Sequence, residues 1–142
     1  MRFMMLMIPA VYDGPTDPNF APPVEAVERM DKYNAALEKA GVLLSLDGLM
    51  APEKGARVRY KGGKPTVTDG PFSESKEVVG GYWMIQVKSR DEAIEWARRV
   101  PADEGDIVEV RQVYELADFP PDVQAALVSS HDSRDIAAPP KH

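Results

Sequence analysis

The stretch TVTDGPFSESKEVVGGYWMIQV, residues 66–87, leads from a stiff corner into a strongly apolar strand. In the corner, Asp69-Gly70-Pro71-Phe72, glycine is expected to supply an unusual φ and proline to restrict the chain. The Asp69 carboxylate has two interpretations. It accepts backbone N–H groups in an Asx turn, or it acts as a general base or ligand contact. The strand that follows, residues 82–87, is apolar on both sides, which indicates a sheet covered on both faces.

The segments on either side of this strand predict alternating strands and helices. Apolar positions recur every three or four residues from Val24 to Ala40, and Gly41 is placed to end that helix. Ser89-Arg90-Asp91-Glu92 is a capping box that begins a second helix through Val100. Core strands are predicted at residues 2–8, 42–49, 82–87 and 106–114, and Gly62-Gly63 joins a hairpin of residues 57–60 and 66–68. This order predicts an α+β fold, a ferredoxin-like β-α-β-β-α-β sandwich with an inserted hairpin.

The chain is predicted to hold one domain, residues 1–116, and a C-terminal extension, residues 117–142. Its 142 residues have the usual length of a single domain. The extension begins with ADFPPDVQAALV, which predicts one short helix after the two prolines. The last residues are small, polar and Pro-ended, so we expect a disordered tail.

The composition argues against several classes of function. A net charge of −6 leaves no basic stripe for phosphates, so direct binding of nucleic acid is not expected. No stretch approaches the ~20 apolar residues of a membrane span, and the apolar start MRFMMLMI is better interpreted as a buried strand than as a signal peptide. We therefore expect a cytoplasmic protein without a membrane partner. There is no cysteine, both histidines lie in the tail, and no GxGxxG or Walker sequence is present, so neither a metal nor a cofactor is predicted.

Side-chain parity divides the predicted sheet into an apolar face and a mixed face. The apolar face, suited to cover by two helices, collects Val42, Leu44, Leu46, Trp83, Ile85, Val87, Val108 and Val110. The mixed face collects apolar Leu43, Leu49, Met84, Ile107 and Val113 with polar Ser45, Asp47, Tyr82, Gln86, Glu109 and Arg111. In water it would expose an apolar patch of roughly several hundred Å², which is unusual for a monomer. We therefore expect a homodimer in which the six polar residues line a shared interior.

Four segments resemble the DGPF group of the YCII-related proteins: VLLSLDGLM (42–50), VTDGPFSESKEVVGGYWMI (67–85), DEAIEWARRVP (91–101) and VEVRQV (108–113). The resemblance covers residues 1 to about 116 and implies a dimeric α/β barrel built from ferredoxin-like subunits. The biochemical role of that family is largely unestablished. Its members are often encoded beside extracytoplasmic-function sigma factors, which implies a sigma factor as a partner. In smaller relatives a His–Asp pair has been suggested as catalytic. Asp47 is the candidate for that carboxylate, but the core has no histidine to accompany it.

The candidate site residues leave alternatives open. Asp47 is either a general base made more basic by burial or, with Gly48, part of a strand-end bulge. Glu109 and Arg111 either pair with each other or clamp a carboxylate-bearing ligand. Three functions are compatible with the sequence. The first is a small-molecule binder or carboxylate-based enzyme with Asp47 and Asp69 as catalytic candidates and Ser45, Tyr82, Gln86, Glu109 and Arg111 as ligand contacts. The second is a protein-interaction module accessory to a sigma factor. The third is a structural dimer with a vestigial pocket.

Overall fold

A computed structural model of the chain describes residues 1–17, 19–72 and 76–130. The strands are β1 (Arg2–Ile8), β2 (Leu43–Gly48), β3 (Ala56–Lys61), β4 (Lys64–Asp69), β5 (Gly81–Gln86) and β6 (Ile107–Gln112). The helices are α1 (Val24–Lys39), α2 (Arg90–Arg98) and α3 (Pro121–Ser130). Short 3-10 helices cover Ala10–Tyr12, Pro52–Lys54 and Leu116–Asp118.

Four strands form one antiparallel sheet in the order β2-β5-β1-β6. The helix α1 connects β1 to β2, and α2 connects β5 to β6. This α+β arrangement is consistent with the predicted ferredoxin-like fold. The inserted β3 and β4 pair with each other in a separate two-stranded sheet.

The hydrophobic core lies between one face of the four-stranded sheet and the helices α1 and α2. Phe3, Met5, Leu37 and Ile85 are its most deeply buried large side chains. Two polar groups in it are satisfied locally: the Tyr33 hydroxyl donates to the Trp96 carbonyl at 2.7 Å, and the Trp83 indole donates to Asn34 Oδ1 at 2.8 Å. Burying each large apolar side chain contributes about 1.5–3 kcal/mol. The predicted apolar face is confirmed for Trp83, Ile85 and Val87.

A register shift in β2 changes part of the predicted face. Leu43 pairs with Ile85, but the next paired residue, Ser45, is opposite Met84, so Leu44 is an extra residue. Leu43 consequently packs against the core, whereas Leu44 is exposed. The assignments of Leu44 to the helix-covered face and of Leu43 to the mixed face were therefore both wrong. The bulge predicted at Asp47-Gly48 is also misplaced, because the irregularity lies near the beginning of the strand.

The predicted turn chemistry is confirmed at two glycine sites. Gly41 follows the C-cap of α1 with φ +72°, a conformation that L side chains rarely adopt. Gly62 and Gly63 have φ +61° and +77°, as a tight hairpin turn between β3 and β4 requires. Every residue of β3 and β4 is exposed.

The helix α3 lies in the segment for which the sequence predicts a short helix after two prolines. It follows a hydrogen-bonded link to the sheet, in which Arg2 Nε and Nη2 donate to the two Glu115 carboxylate oxygens at 2.8 and 3.2 Å. Residues 131–142, which include both histidines and the predicted disordered tail, lie outside the described residues.

Candidate functional site

The sheet face opposite α1 and α2 carries the predicted polar residues in two rows that cross all four strands. Cα partners place Asp47, Tyr82, Leu6 and Glu109 in one row and Ser45, Met84, Met4 and Arg111 in the next. This surface, defined by these eight residues, is called the open face below. Asp47 and Glu109 stand at its two edges, three strand spacings or roughly 14 Å apart.

Tyr82 and Asp47 form a direct polar contact at the β2 edge of the open face. The Tyr82 hydroxyl donates to Asp47 Oδ2 at 2.9 Å. This hydrogen bond, together with the charge of the Asp47 carboxylate, raises the pKa of Tyr82 above its ordinary value, whereas the Ser45 hydroxyl acts in the opposite direction. The phenol is thus held in its protonated, donating form. Asp47 itself is exposed, so the burial expected to make it more basic is absent from a single chain.

Glu109 and Arg111 form the predicted ion pair at the other edge of the open face. The distance from Arg111 Nη1 to Glu109 Oε2 is 3.6 Å, and the two side chains are 72% and 45% exposed. An exposed pair at this distance contributes little to stability. The guanidinium therefore keeps most of its donors available to a further acceptor.

Gln86 lies one step beyond these rows, opposite Arg2 on β1, and is exposed. Met4, Leu6, Tyr82 and Met84 are half-buried between the polar edges, and the neighbouring Ile107 is exposed. The structure thus brings Ser45, Asp47, Tyr82, Gln86, Glu109 and Arg111 to one side of one sheet, as parity predicts. Their apolar neighbours form a band between two charged edges.

Asp69 does not belong to this group. It ends β4 in the two-stranded sheet, is exposed, and makes no hydrogen bond or ion pair with the other six residues in the described part of the chain. The φ of Gly70 is not positive, so the prediction of an unusual φ at this glycine was wrong. Glycine is needed there because a Cβ would lie 1.8 Å from the Pro52 carbonyl oxygen. Phe72 is half-buried, with the Arg57 guanidinium 4.0 Å from its ring centre.

The structure also contains a cleft that no pattern in the sequence predicts. It is a cleft of about 770 Å³ between the loop after β1, the beginning of α1 and the loop before β6. A smaller lobe of about 180 Å³ extends it toward β2 and β5, since both share Met7, Met30, Asn34, Gly48 and Gly80. The available sequence signal is the loop of residues 9–22, which is rich in Pro, Gly and Asp, but this composition indicates only irregular structure.

Neither metal binding nor a membrane span gains support from the described residues. Within residues 1–17, 19–72 and 76–130, no three side chains of His, Asp or Glu are grouped so as to hold a metal ion. None of the helices in these ranges has the length and apolar character that crossing a membrane requires.

Comparison with known proteins gives a family without an assigned activity. A 78-residue segment, 52% of this chain, is 38% identical to the "Uncharacterized protein R00369" of Rhizobium meliloti (strain 1021) and spans 63% of that relative. The family model of the YCII-related domain matches residues 1–117. That match covers both helices of the core and all six strands. The chain therefore belongs to the YCII-related family.

Proposed function

We propose that two copies of the chain pair through their open faces and enclose a cavity that binds or transforms a small organic acid. The observation that carries this proposal is the Tyr82–Asp47 hydrogen bond on a sheet face that neither α1 nor α2 covers. A polar contact of this kind, surrounded by half-buried methionine and leucine, suits the wall of a cavity better than a solvent-facing sheet. The dimeric α/β barrel expected for the DGPF group has the same arrangement.

Two-fold pairing supplies the cover that the apolar band needs. A two-fold operator lays the same patch of each subunit against its copy, so Met4, Leu6 and Met84 would meet equivalent side chains. The charged edges would then become walls of the enclosed space. Exclusion of water would strengthen every electrostatic contact inside it.

The chemistry proposed for this cavity divides between its two edges. Arg111 binds the ligand carboxylate, because a guanidinium presents paired donors that match a carboxylate. Asp47 holds the single Tyr82 O–H in its hydrogen bond and so orients the phenol, whose oxygen is left to accept a hydrogen bond from the bound molecule, and the other Asp47 carboxylate oxygen is the candidate general base that accepts a proton from it. Ser45 and Gln86 supply further polar contacts. Asp69 stays a catalytic candidate from the sequence alone.

A thermal-shift panel of small carboxylic acids tests the proposal, since a ligand that binds only the folded state raises its melting temperature. We expect at least one acid to stabilise the native protein and to lose that effect in Asp47→Asn and Arg111→Ala. The matched control is Arg98→Ala, because Arg98 is equally exposed and also pairs with a glutamate on its own element. Equal shifts in native protein and both site variants would refute binding at the open face.

A second candidate function is a protein-interaction module that uses the C-terminal extension. The helix α3 exposes Val123, Leu127 and Val128, three apolar side chains within two helical turns. An extracytoplasmic-function sigma factor is the candidate partner. Co-purification that is lost when residues 117–142 are deleted would support this function. Binding that survives the deletion would remove the extension from the interface.

A further inference from the structure

We propose that the cleft beside α1 is a second ligand site and that it takes an apolar organic cation such as an aromatic amine. Its larger lobe shares no lining residue with the open face, whereas Asp47 and Tyr82 also line its smaller lobe. The cleft lies at the end of the sheet where the loop after β1 passes the beginning of α1. Its volume of about 770 Å³ is within the range of ~300–1,000 Å³ that is usual for small-molecule sites.

The walls of the cleft are apolar. Side chains from β1, from the loop after it, from α1 and from the residue after β2 surround the space, among them Met7, Val11, Phe20, Val27, Met30 and Leu49. Val11, Phe20, Val27 and Leu49 are each more than two-fifths exposed in the free protein. A ligand that covers such side chains gains about 25 cal/mol for each Å² of apolar surface removed from water.

The loop that forms one wall is fixed in place before any ligand arrives. Gly80 permits close packing, because a Cβ there would lie 2.8 Å from Pro9 Cγ and 3.1 Å from a ring carbon of Tyr12. The Asp106 carboxylate accepts from the Ala10 amide at 2.8 Å and ties the loop to the segment before β6. Tyr12 is buried and meets the Phe20 ring edge-on at 6.5 Å. A preformed wall reduces the ordering cost of binding.

The charged residues at the rim of the cleft favour a positively charged ligand. Four acidic residues line the cleft, Asp31, Asp103, Glu104 and Asp106, against a single basic one, Arg29. Arg29 lies 3.8 Å from Asp103, and Asp106 accepts from two backbone amides. The side chains of Asp31 and Glu104 make no hydrogen bond or ion pair within the described ranges. An excess of carboxylates around an apolar space attracts a cation and repels an anion.

Asn34 adds a directional contact at the junction of the two lobes. An indole N–H only donates, so the bond from Trp83 identifies the Asn34 oxygen as the acceptor and fixes the orientation of the amide. The Asn34 amide nitrogen is then the group left for a ligand acceptor. The Trp83 indole and the Asn34 amide are therefore natural reporters of occupancy.

The test compares three probes of similar shape: phenethylamine, the neutral phenethyl alcohol and the anionic hydrocinnamate. Binding to the full chain is followed by heteronuclear NMR, with the Trp83 indole and Asn34 amide resonances as reporters. We expect the amine to shift these resonances and to bind roughly threefold to fivefold more tightly than the carboxylate, as exposed charge pairs allow. Equal or tighter binding of the carboxylate would overturn the proposed charge preference.

Two pairs of variants locate the site. Ala26→Trp fills the cleft and should abolish binding of the amine, whereas Ala35→Trp, on the exposed part of the same helix, should leave it intact. Asp31→Lys with Glu104→Lys should reverse the preference toward hydrocinnamate. The double variant Glu28→Lys with Glu38→Lys changes the net charge equally outside the cleft and should not reverse the preference for the amine.

Binding unaffected by Ala26→Trp in a folded protein, or no shift of the reporters at any soluble probe concentration, would refute the site.

Discussion

The Tyr82 phenol is held by a carboxylate instead of a backbone carbonyl, so its ionisation depends on the charge of Asp47. The raised pKa means that the protonated phenol stabilises the folded state at pH values below the ordinary tyrosine pKa of about 10. This contribution disappears as the pH rises through the higher pKa of the folded protein. We expect Asp47→Asn to lower the pH at which one of the five tyrosines ionises.

Near-ultraviolet absorbance of tyrosinate during a pH titration measures this effect. Tyr82→Phe should remove one late-titrating group, which assigns that signal to Tyr82, whereas Tyr33, whose pKa is also raised by burial, should stay protonated in both proteins. Asp91→Asn, on α2 and away from the open face, is the control and should leave the titration unchanged. A curve that is the same for native protein and Asp47→Asn would show that the hydrogen bond does not persist in solution.

Gly70 illustrates a glycine that is needed for space and not for a left-handed backbone. Its amide donates to the Gly55 carbonyl at 2.9 Å, and a Cβ would overlap the Pro52 backbone. We expect Gly70→Ala to push the hairpin base away from residues 52–55 and to accelerate hydrogen exchange of the residue-70 amide by roughly tenfold or more. Gly48→Ala is the control, because its Cβ would meet nothing within 4 Å. Similar exchange at residue 70 in both variants would contradict this steric explanation.

The second helix of the core depends on the hydrogen bonds at its beginning. Ser89 Oγ accepts from the Glu92 amide at 3.1 Å, as the capping box predicts, but Glu92 Oε2 accepts from the Lys88 amide and not from that of Ser89. Ser89→Ala should therefore lower the free energy of unfolding by about 1 kcal/mol. Ser89→Asp keeps an acceptor at the cap and should retain most of the stability. Urea denaturation measures both. An unchanged midpoint for Ser89→Ala would mean that the cap contributes nothing.

Periodicity and turn residues were sufficient to predict the elements, because each depends on neighbours in the chain. The spacing of apolar residues in α1, the Gly62-Gly63 turn and the alternation in β5 are signals of this kind. The β2 bulge was not predictable from parity, which assumes uninterrupted alternation and so placed Leu44 in the core. The cleft depends on contacts between distant segments, such as Gly80 with Pro9, that leave no local pattern.

The candidate site was predictable only in part, because side-chain parity depends on neighbours along one strand and not on how the strands are arranged. Parity brings Ser45, Asp47, Tyr82, Glu109 and Arg111 to one side of a sheet once the strands are known. It does not give the order of the strands, so the separation of the Asp47 and Arg111 edges came only from the sheet β2-β5-β1-β6. It also gave no reason to separate Asp69 from the others. The hairpin that carries it is a sheet of its own.

In the part of the chain that the structure describes, the open face and the larger lobe of the cleft beside α1 share no residue, and only the smaller lobe of the cleft reaches Asp47 and Tyr82. In the proposed dimer, the open face becomes a cavity only when a second subunit covers it, whereas the cleft beside α1 is formed by a single chain. Dilution of the protein should therefore affect binding of the two proposed ligands differently. Binding of an organic acid should weaken as the dimer dissociates, and binding of the aromatic amine should not.

The oligomeric state is the strongest test at this scale. Met84 lies in the middle of the open face and is half-buried in one chain, so Met84→Asp would place a carboxylate in the seam of the proposed dimer. A buried, unpaired charge is costly, so we expect sedimentation velocity to show a dimer for the native protein and a folded monomer for the variant.

Tyr60→Asp is the matched control, because Tyr60 is a large side chain, 82% exposed, on the separate hairpin. It should leave the dimer intact. Circular dichroism must show that Met84→Asp remains folded, and the more conservative Met84→Gln should weaken the dimer by a smaller factor. A native protein that stays monomeric at micromolar concentration would remove the enclosed cavity. Dissociation by Tyr60→Asp, with no effect of Met84→Asp, would instead assign the interface to the hairpin.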